Sequence, residues 1–372
     1  MKRIILLSSI LCAFTMLSCK QKVSANSVAK EKIQVAILLD TSGSMEGLIE
    51  QAKSRLWNIV NTLTTLKFQG KTPEIEIALY EYGSYNRYDG DYIRQITPLT
   101  TDLDLISQEL FVLTAGGSEE YCGTVIRKAT RNLDWGQNET DMKLIYIAGN
   151  EIFEQGKIPY TVAIKEAIGK NIYVNTIHCG SRDVGIRDFW QDVATKGNGK
   201  FFNIDSNAKV RYIVTPFDDE IQHCNMRLND TYISYGKDGY SKKENQKTQD
   251  KNASSISSAN STERAVSKSK NVYKNTSWDL VDKYKEDKKA LETIDKEYLP
   301  EELQDKSKEE IKGFVEQKEK ERATIQKQIS ELAVKRQAYI DEQPKNNDPD
   351  DDLGKAINES ILTFAKTKGY TF

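Results

Sequence analysis

The sequence predicts an α/β fold, a doubly wound and mostly parallel sheet, followed by a charged α-helical region. Three observations carry that expectation. Strand-like apolar runs alternate with stretches of helical spacing over residues 31–215, the pattern of a sheet covered on both faces. The runs at 33–39 (IQVAILL) and 143–148 (KLIYIA) are nearly continuous in apolar residues, as expected of strands buried on both sides. Beyond about residue 235 the composition changes to Ser, Lys, Asn and Gln, and then to Lys and Glu.

The elements follow in order. The chain has 372 residues, enough for two domains. Lys2 and Arg3 precede an apolar stretch, 4–17, that is too short and too early for a spanning helix. It ends Met16-Leu17-Ser18-Cys19, then Lys20-Gln21-Lys22, which resembles a bacterial lipobox. Residues 1–18 are therefore expected to be a lipoprotein signal peptide, Cys19 the lipidated first residue, and 19–30 a tether. An ordinary cleaved signal beside a chance cysteine is the alternative. On the lipobox reading the protein is exported and held by lipid on a membrane face of the bacterial envelope, facing the periplasm.

Residues 31–235 read as the α/β domain. Strands are expected at 33–39, 74–82, 92–96, 143–148, 171–178 and 200–204. Helices are expected at 47–66, 103–112, 124–133, 158–170, 184–196 and 218–228. Leu48, Ala52, Leu56, Val60 and Leu63 share one face of the first helix. Residues 236–272, GKDGYSKK…SANS in character, hold too few apolar side chains for a core and read as a linker or loop. Residues 273–345 are expected to form a helical hairpin or arm split at Pro300, with Ile325, Ile329, Leu332 and Ile340 at near-heptad, coiled-coil-like spacing. Residues 346–372 read as a turn and a final helix.

Composition excludes several classes. The formal net charge is −2, so no basic field invites nucleic acid. Past the signal only Cys122, Cys179 and Cys224 remain, an odd number and no disulfide framework. Two histidines, His178 and His223, leave little for a His-rich metal site or for His-based catalysis.

One loop carries chemistry. LLDTSGSM, 38–45, places Asp40, Ser42 and Ser44 between a buried strand and a helix. Hard oxygens of this kind suit Mg²⁺ first, and Mn²⁺ or Ca²⁺, over zinc or copper. The rival reading is that Ser42 or Ser44 caps the helix. In its strand-before, helix-after setting the loop resembles the metal-ion-dependent adhesion site of von Willebrand factor type A domains, a similarity covering about 31–225. That resemblance implies a Rossmann-like sheet with a divalent cation at its carboxyl edge. It also implies a second loop, TAGGSEEYCG, in which Ser118, after Gly116-Gly117, supplies a further hydroxyl ligand to the cation beside Asp40, Ser42 and Ser44, ahead of Glu119 and Glu120, which add charge. The third loop departs from the family: Ala148 stands where Asp is usual, leaving Asn150 or Glu151 to reach the site through water. A cation held by one carboxylate and hydroxyls is under-neutralised, so a carboxylate from a partner protein would complete its shell. IYIAGNEIFEQG, VNTIHCG, KGNGKFFNID and NTSWDLV also resemble a group of exported bacterial proteins in which a von Willebrand-type domain precedes a charged helical region.

Three functions follow as expectations. The first is a non-enzymatic envelope lipoprotein that binds a second envelope protein through the cation. The second is a metal-independent scaffold assembling through the charged helical arm. The third is a hydrolase using Cys122 or Cys179. A Cys122–Cys179 disulfide at the rim is a further expectation. His178 is adjacent to Cys179 and points to the other side of its strand, which weakens the hydrolase. The tyrosines at 80, 82, 85, 88 and 92 read as an edge strand and its hairpin, or as a binding rim.

Overall fold

The computed structural model describes residues 30–85, 91–343 and 352–372. The signal peptide, Cys19, the tether up to 29, Tyr88 and most of the 346–354 turn lie outside the described residues. In chain order the elements are β1 Lys32–Asp40, α1 Glu46–Thr65, β2 Lys67–Phe68, β3 Glu74–Tyr82, β4 Ile93–Thr100, α2 Leu103–Val112 and α3 Cys122–Asn132. β5 Met142–Gly149, α4 Tyr160–Gly169, β6 Ile172–Cys179, α5 Arg182–Arg187, α6 Trp190–Lys196 and β7 Asn198–Ile204 follow. The rest is α7 Asp218–Asn229, α8 Gly239–Ile256, α9 Ser258–Lys268, α10 Leu280–Glu286, α11 Ala290–Thr293, α12 Glu301–Gln304, α13 Lys308–Asp341, α14 Leu353–Thr367 and β8 Tyr370–Thr371.

The main sheet runs β4-β3-β1-β5-β6-β7. β4 is antiparallel to β3, and every other neighbouring pair is parallel. β1 is central, and its alternate residues enter two separate cores. Val35, Ile37 and Leu39 face α1, α2 and α14, whereas Ala36 and Leu38 face α3, α4 and α6. A strand feeding two cores has no polar face, which is why its sequence is a continuous apolar run.

Two expectations need correction. The helix expected over 184–196 is two, α5 and α6, with Phe189 between them at φ 73°. The stretch 236–272 is not a linker or loop: most of it is α8 and α9, and every residue of α9 after Ser258 is buried. Apolar content misleads here because charge pairing replaces it. Arg264 of α9 donates to Asp104 of α2 at 2.8 Å and to Asp250 of α8 at 2.5 Å, while Lys268 reaches Asp250 at 2.9 Å. The guanidinium also lies over the Trp57 ring at 4.5 Å. Buried charges persist only when paired in this way.

Residues 273–345 do not project as a hairpin or arm. α13 is one 34-residue helix whose buried stripe, Ile311, Val315, Arg322, Ile325, Ile329 and Arg336, faces the rest of the chain. Arg322 pairs with Asp279 and Asp282 at 2.6 and 2.9 Å and stacks on Tyr232. Arg336 pairs with Asp218 of α7 at 3.0 Å. The near-heptad spacing is thus satisfied within the chain. α14 then returns to the sheet: Ile357, Ile361 and Phe364 join the α1-side core, and Ser360 donates to Asn175 of β6. Residues Glu31–Phe372 form one compact unit. Among the described residues no helix is long and apolar enough to cross a membrane.

A candidate metal centre at the carboxyl edge of the sheet

β1 ends at Asp40, flanked by the ends of β3 and β5, the edge where α/β sheets present ligand sites. Three loops are laced together there by their backbones. The Thr41 amide donates to Tyr82 O at 2.9 Å, the Gly116 amide to Thr41 O at 2.8 Å, and the Tyr85 amide to Gly116 O at 3.0 Å. Gly117 permits this closeness. Its φ is +146°, and a β-carbon there would sit 1.7 Å from Gly83 O. Gly117→Ala should therefore cost more than about 1 kcal/mol, read as a lower Tm in thermal unfolding, whereas Gly116→Ala, which meets nothing within 4 Å, should leave Tm unchanged.

Within this frame Asp40, Thr41 and Ser42 are buried, and Ser44 stands at the surface. The Ser42 amide donates to Asp40 Oδ1 at 2.8 Å. The two serine hydroxyls lie 3.5 Å apart. Helix α1 begins after Met45 with no side-chain cap, so neither serine is spent on capping. Glu120, two residues before α3, turns inward and is buried. A β-carbon on Gly83 would meet Asp40 Oδ1 at 2.9 Å and Glu120 Cγ at 3.2 Å, which places both carboxylates at one spot. Asp40 Oδ2 and Glu120 Oε2 are buried with no hydrogen-bond partner among the described residues. Burial pushes Asp40 up to about 7, against the bonds from Ser42. Burial and the Asp40 charge push Glu120 up to about 8. Two buried carboxylates with unfilled lone pairs are what a hard divalent cation relieves.

The other sequence candidates divide. Asn150 Nδ2 donates to Ser44 Oγ at 3.2 Å, so Asn150 joins the cluster. Ser118 is exposed, and its hydroxyl pairs with Tyr85 OH at 2.9 Å. Glu119 and Glu151 are exposed on the rim. Gly149 is a site residue that sequence reasoning missed, and Tyr82, expected only in an edge strand or a binding rim, is buried at the site. Gly149 lies beside Asp40, where a side chain would strike Tyr82 OH and Asp40 Oδ2 at 2.4 and 2.9 Å, and Tyr82 OH donates to Ala148 O at 2.9 Å. The space at the end of β5 is thus filled by a phenol reaching across β1. Among the described residues no three His, Cys, Asp or Glu side chains form a metal cluster; the donor set here is two carboxylates with hydroxyls.

The Asp-x-Ser-x-Ser loop ends the central strand, with a parallel strand on each side and helices on both faces. This order of strands, with helices on both faces, fits a von Willebrand factor type A or Rossmann-like α/β fold. No protein-family profile matches the chain, and no curated protein matches it. Among solved structures it is similar to an aerotolerance-related membrane protein from Bacteroides fragilis, at 18% identity and TM-score 0.34 over 47% of this chain and 93% of that one. It is also similar to conserved hypothetical protein BatB from Bacteroides thetaiotaomicron, at 18% identity and TM-score 0.36 over 46% and 90%. A von Willebrand factor type A protein from Catenulispora acidiphila matches at 17% and 0.36 over 47% of this chain and 39% of that one.

The sheet also separates the two rim cysteines. Cys122 lies in the core on the α3 side and Cys179 in the core on the α1 side. Both are free and buried, so the expected disulfide is absent. Burial raises both thiols, and the Asp40 charge adds to it at each, the reverse of an activated thiolate. His178 Nδ1 is held by Asn203 Oδ1 at 2.9 Å.

Proposed function

We propose that the protein is a non-enzymatic envelope lipoprotein, anchored through Cys19, whose von Willebrand-type domain binds a second envelope protein through a divalent cation. The observation that supports it most is the meeting of two buried, unpartnered carboxylate oxygens, Asp40 Oδ2 and Glu120 Oε2, beside the hydroxyls of Ser42 and Ser44. Those four residues would hold the cation, Mg²⁺ first and Mn²⁺ or Ca²⁺ as substitutes. The cation would supply a Lewis-acidic point at the rim. Exposed Ser44, Ser118, Glu119 and Glu151, with Tyr85 and Ile152, would meet the partner, whose own oxygen, a carboxylate for preference, completes the shell.

Asp40 closes against the backbone and Glu120, so the site is approached from the Ser44 side. Immobilised full chain is expected to retain its partner from envelope extract in Mg²⁺ and release it into chelator, with Asp40→Ala retaining none. Equal retention in chelator and by Asp40→Ala would favour the metal-independent scaffold. That alternative is weakened by the helical region, whose apolar stripe is occupied within the chain.

A further inference from the structure

A polar cavity lies at the opposite end of α1 from the cation loop. It has a volume of about 230 Å³ and is enclosed by the end of α1, Lys67 of β2, the segment after α9 and the middle of α13. Its charged lining is cationic only: Lys67, Lys270 and Lys327, with the hydroxyls of Thr72 and Ser330 and the amide of Asn271 between them. Lys67 Nζ donates to Thr72 Oγ1 at 2.5 Å, a neutral partner. Among the described residues the Lys270 ammonium has no ion pair. Lys327 has a loose one, 3.9 Å from Glu331 on the exposed side of α13. Burial and the nearby Lys67 both hold Lys270 below its ordinary value. Like charges gathered in one concavity repel unless an anion sits among them, and ammonium groups with hydroxyls are the donors that phosphate oxygens accept from.

We propose that this cavity binds a phosphate-class oxyanion, either free phosphate or the phosphate of a lipid headgroup. At about 230 Å³ it suits a small oxyanion with its water and falls short of most drug-sized sites.

The test uses full chain at fixed ionic strength. In one arm inorganic phosphate replaces chloride, with binding followed by calorimetry. In the other, vesicles of phosphatidic acid in phosphatidylcholine are compared with phosphatidylcholine alone by sedimentation. Lys270→Gln and Lys67→Gln should each weaken binding at least tenfold, Lys270→Arg should retain it, and Lys285→Gln, at an exposed position of α10, should be neutral. An unchanged Tm in chloride separates lost binding from lost folding. Phosphate binding that these variants remove supports the free-anion source; vesicle binding alone, removed likewise, supports the lipid source. No binding in either arm, or binding that survives both glutamine substitutions, overturns the proposal.

Discussion

A chain ending at residue 352 is expected to lose its cooperative fold. The deleted segment carries Leu353, Ile357, Ile361, Phe364 and Tyr370, all buried in the core shared with β1, β5 and α1. Five such side chains at roughly 1.5–3 kcal/mol each contribute about as much as the whole net stability of an ordinary domain, about 5–15 kcal/mol. The deletion also strands Asn175 of β6 without its Ser360 partner and exposes Tyr173, which packs on Phe364 at 4.7 Å between ring centres. Circular dichroism on heating should show no sharp transition, and the product should aggregate. A two-state transition within a few degrees of the full chain would show that α14 is an ornament.

Arg264→Ala is expected to be the most damaging single substitution in the helical region. It leaves buried Asp104 with the Tyr273 hydroxyl and Asp250 with Lys268 and Asn229, both without the guanidinium, and empties the space over Trp57. Removing one partner of a buried network costs about 3–5 kcal/mol, which for a unit this large lowers Tm by roughly 6–20 °C at about 2–4 °C per kcal/mol. Lys247→Ala, in an exposed pair with Glu244, should leave Tm unchanged. The network also sets an acid limit. Burial alone would raise Asp250, but Lys268 and Arg264 outweigh it and hold the carboxyl below its usual range. A native value below the unfolded one gives stability that is complete above the ordinary carboxylate value, about pH 4, and is lost only as pH falls through the native value. Acid unfolding of Arg264→Ala should therefore begin at higher pH than that of the wild type. Coincident acid transitions would contradict this.

The sheet was legible because strands with two buried faces must be apolar throughout, as 33–39 and 143–148 are. α9 was illegible for the opposite reason. SANSTERAVSK buries its length through Arg264, Lys268 and Asn260, and a pattern of apolar spacing does not register partners on α2 and α8. The heptad-like stripe of α13 was visible, but not that its partners lay within the same chain. At the site, Asp40, Ser42 and Ser44 were evident from strand, loop and helix. Glu120 was ranked behind Ser118 because a hydroxyl was sought after the glycine pair. The left-handed Gly117 turns the chain so that Ser118 meets Tyr85 and the second residue beyond it faces inward. That turn depends on the close passage of Gly83, too distant in sequence for any local motif to encode.

The central claim is that Asp40, Ser42, Ser44 and Glu120 hold a divalent cation. Its most direct test is thermal unfolding of the full chain in chelator, Mg²⁺, Mn²⁺ and Ca²⁺, beside Asp40→Ala and Glu120→Gln. A cation that binds only the native state stabilises it by about 2.7 kcal/mol at a hundred times its Kd, a rise of roughly 5–10 °C here. The account predicts such a rise for the wild type, none for Asp40→Ala, and a smaller one for Glu120→Gln. An unchanged Tm with all three ions at millimolar concentration, or the same rise in Asp40→Ala, would contradict it.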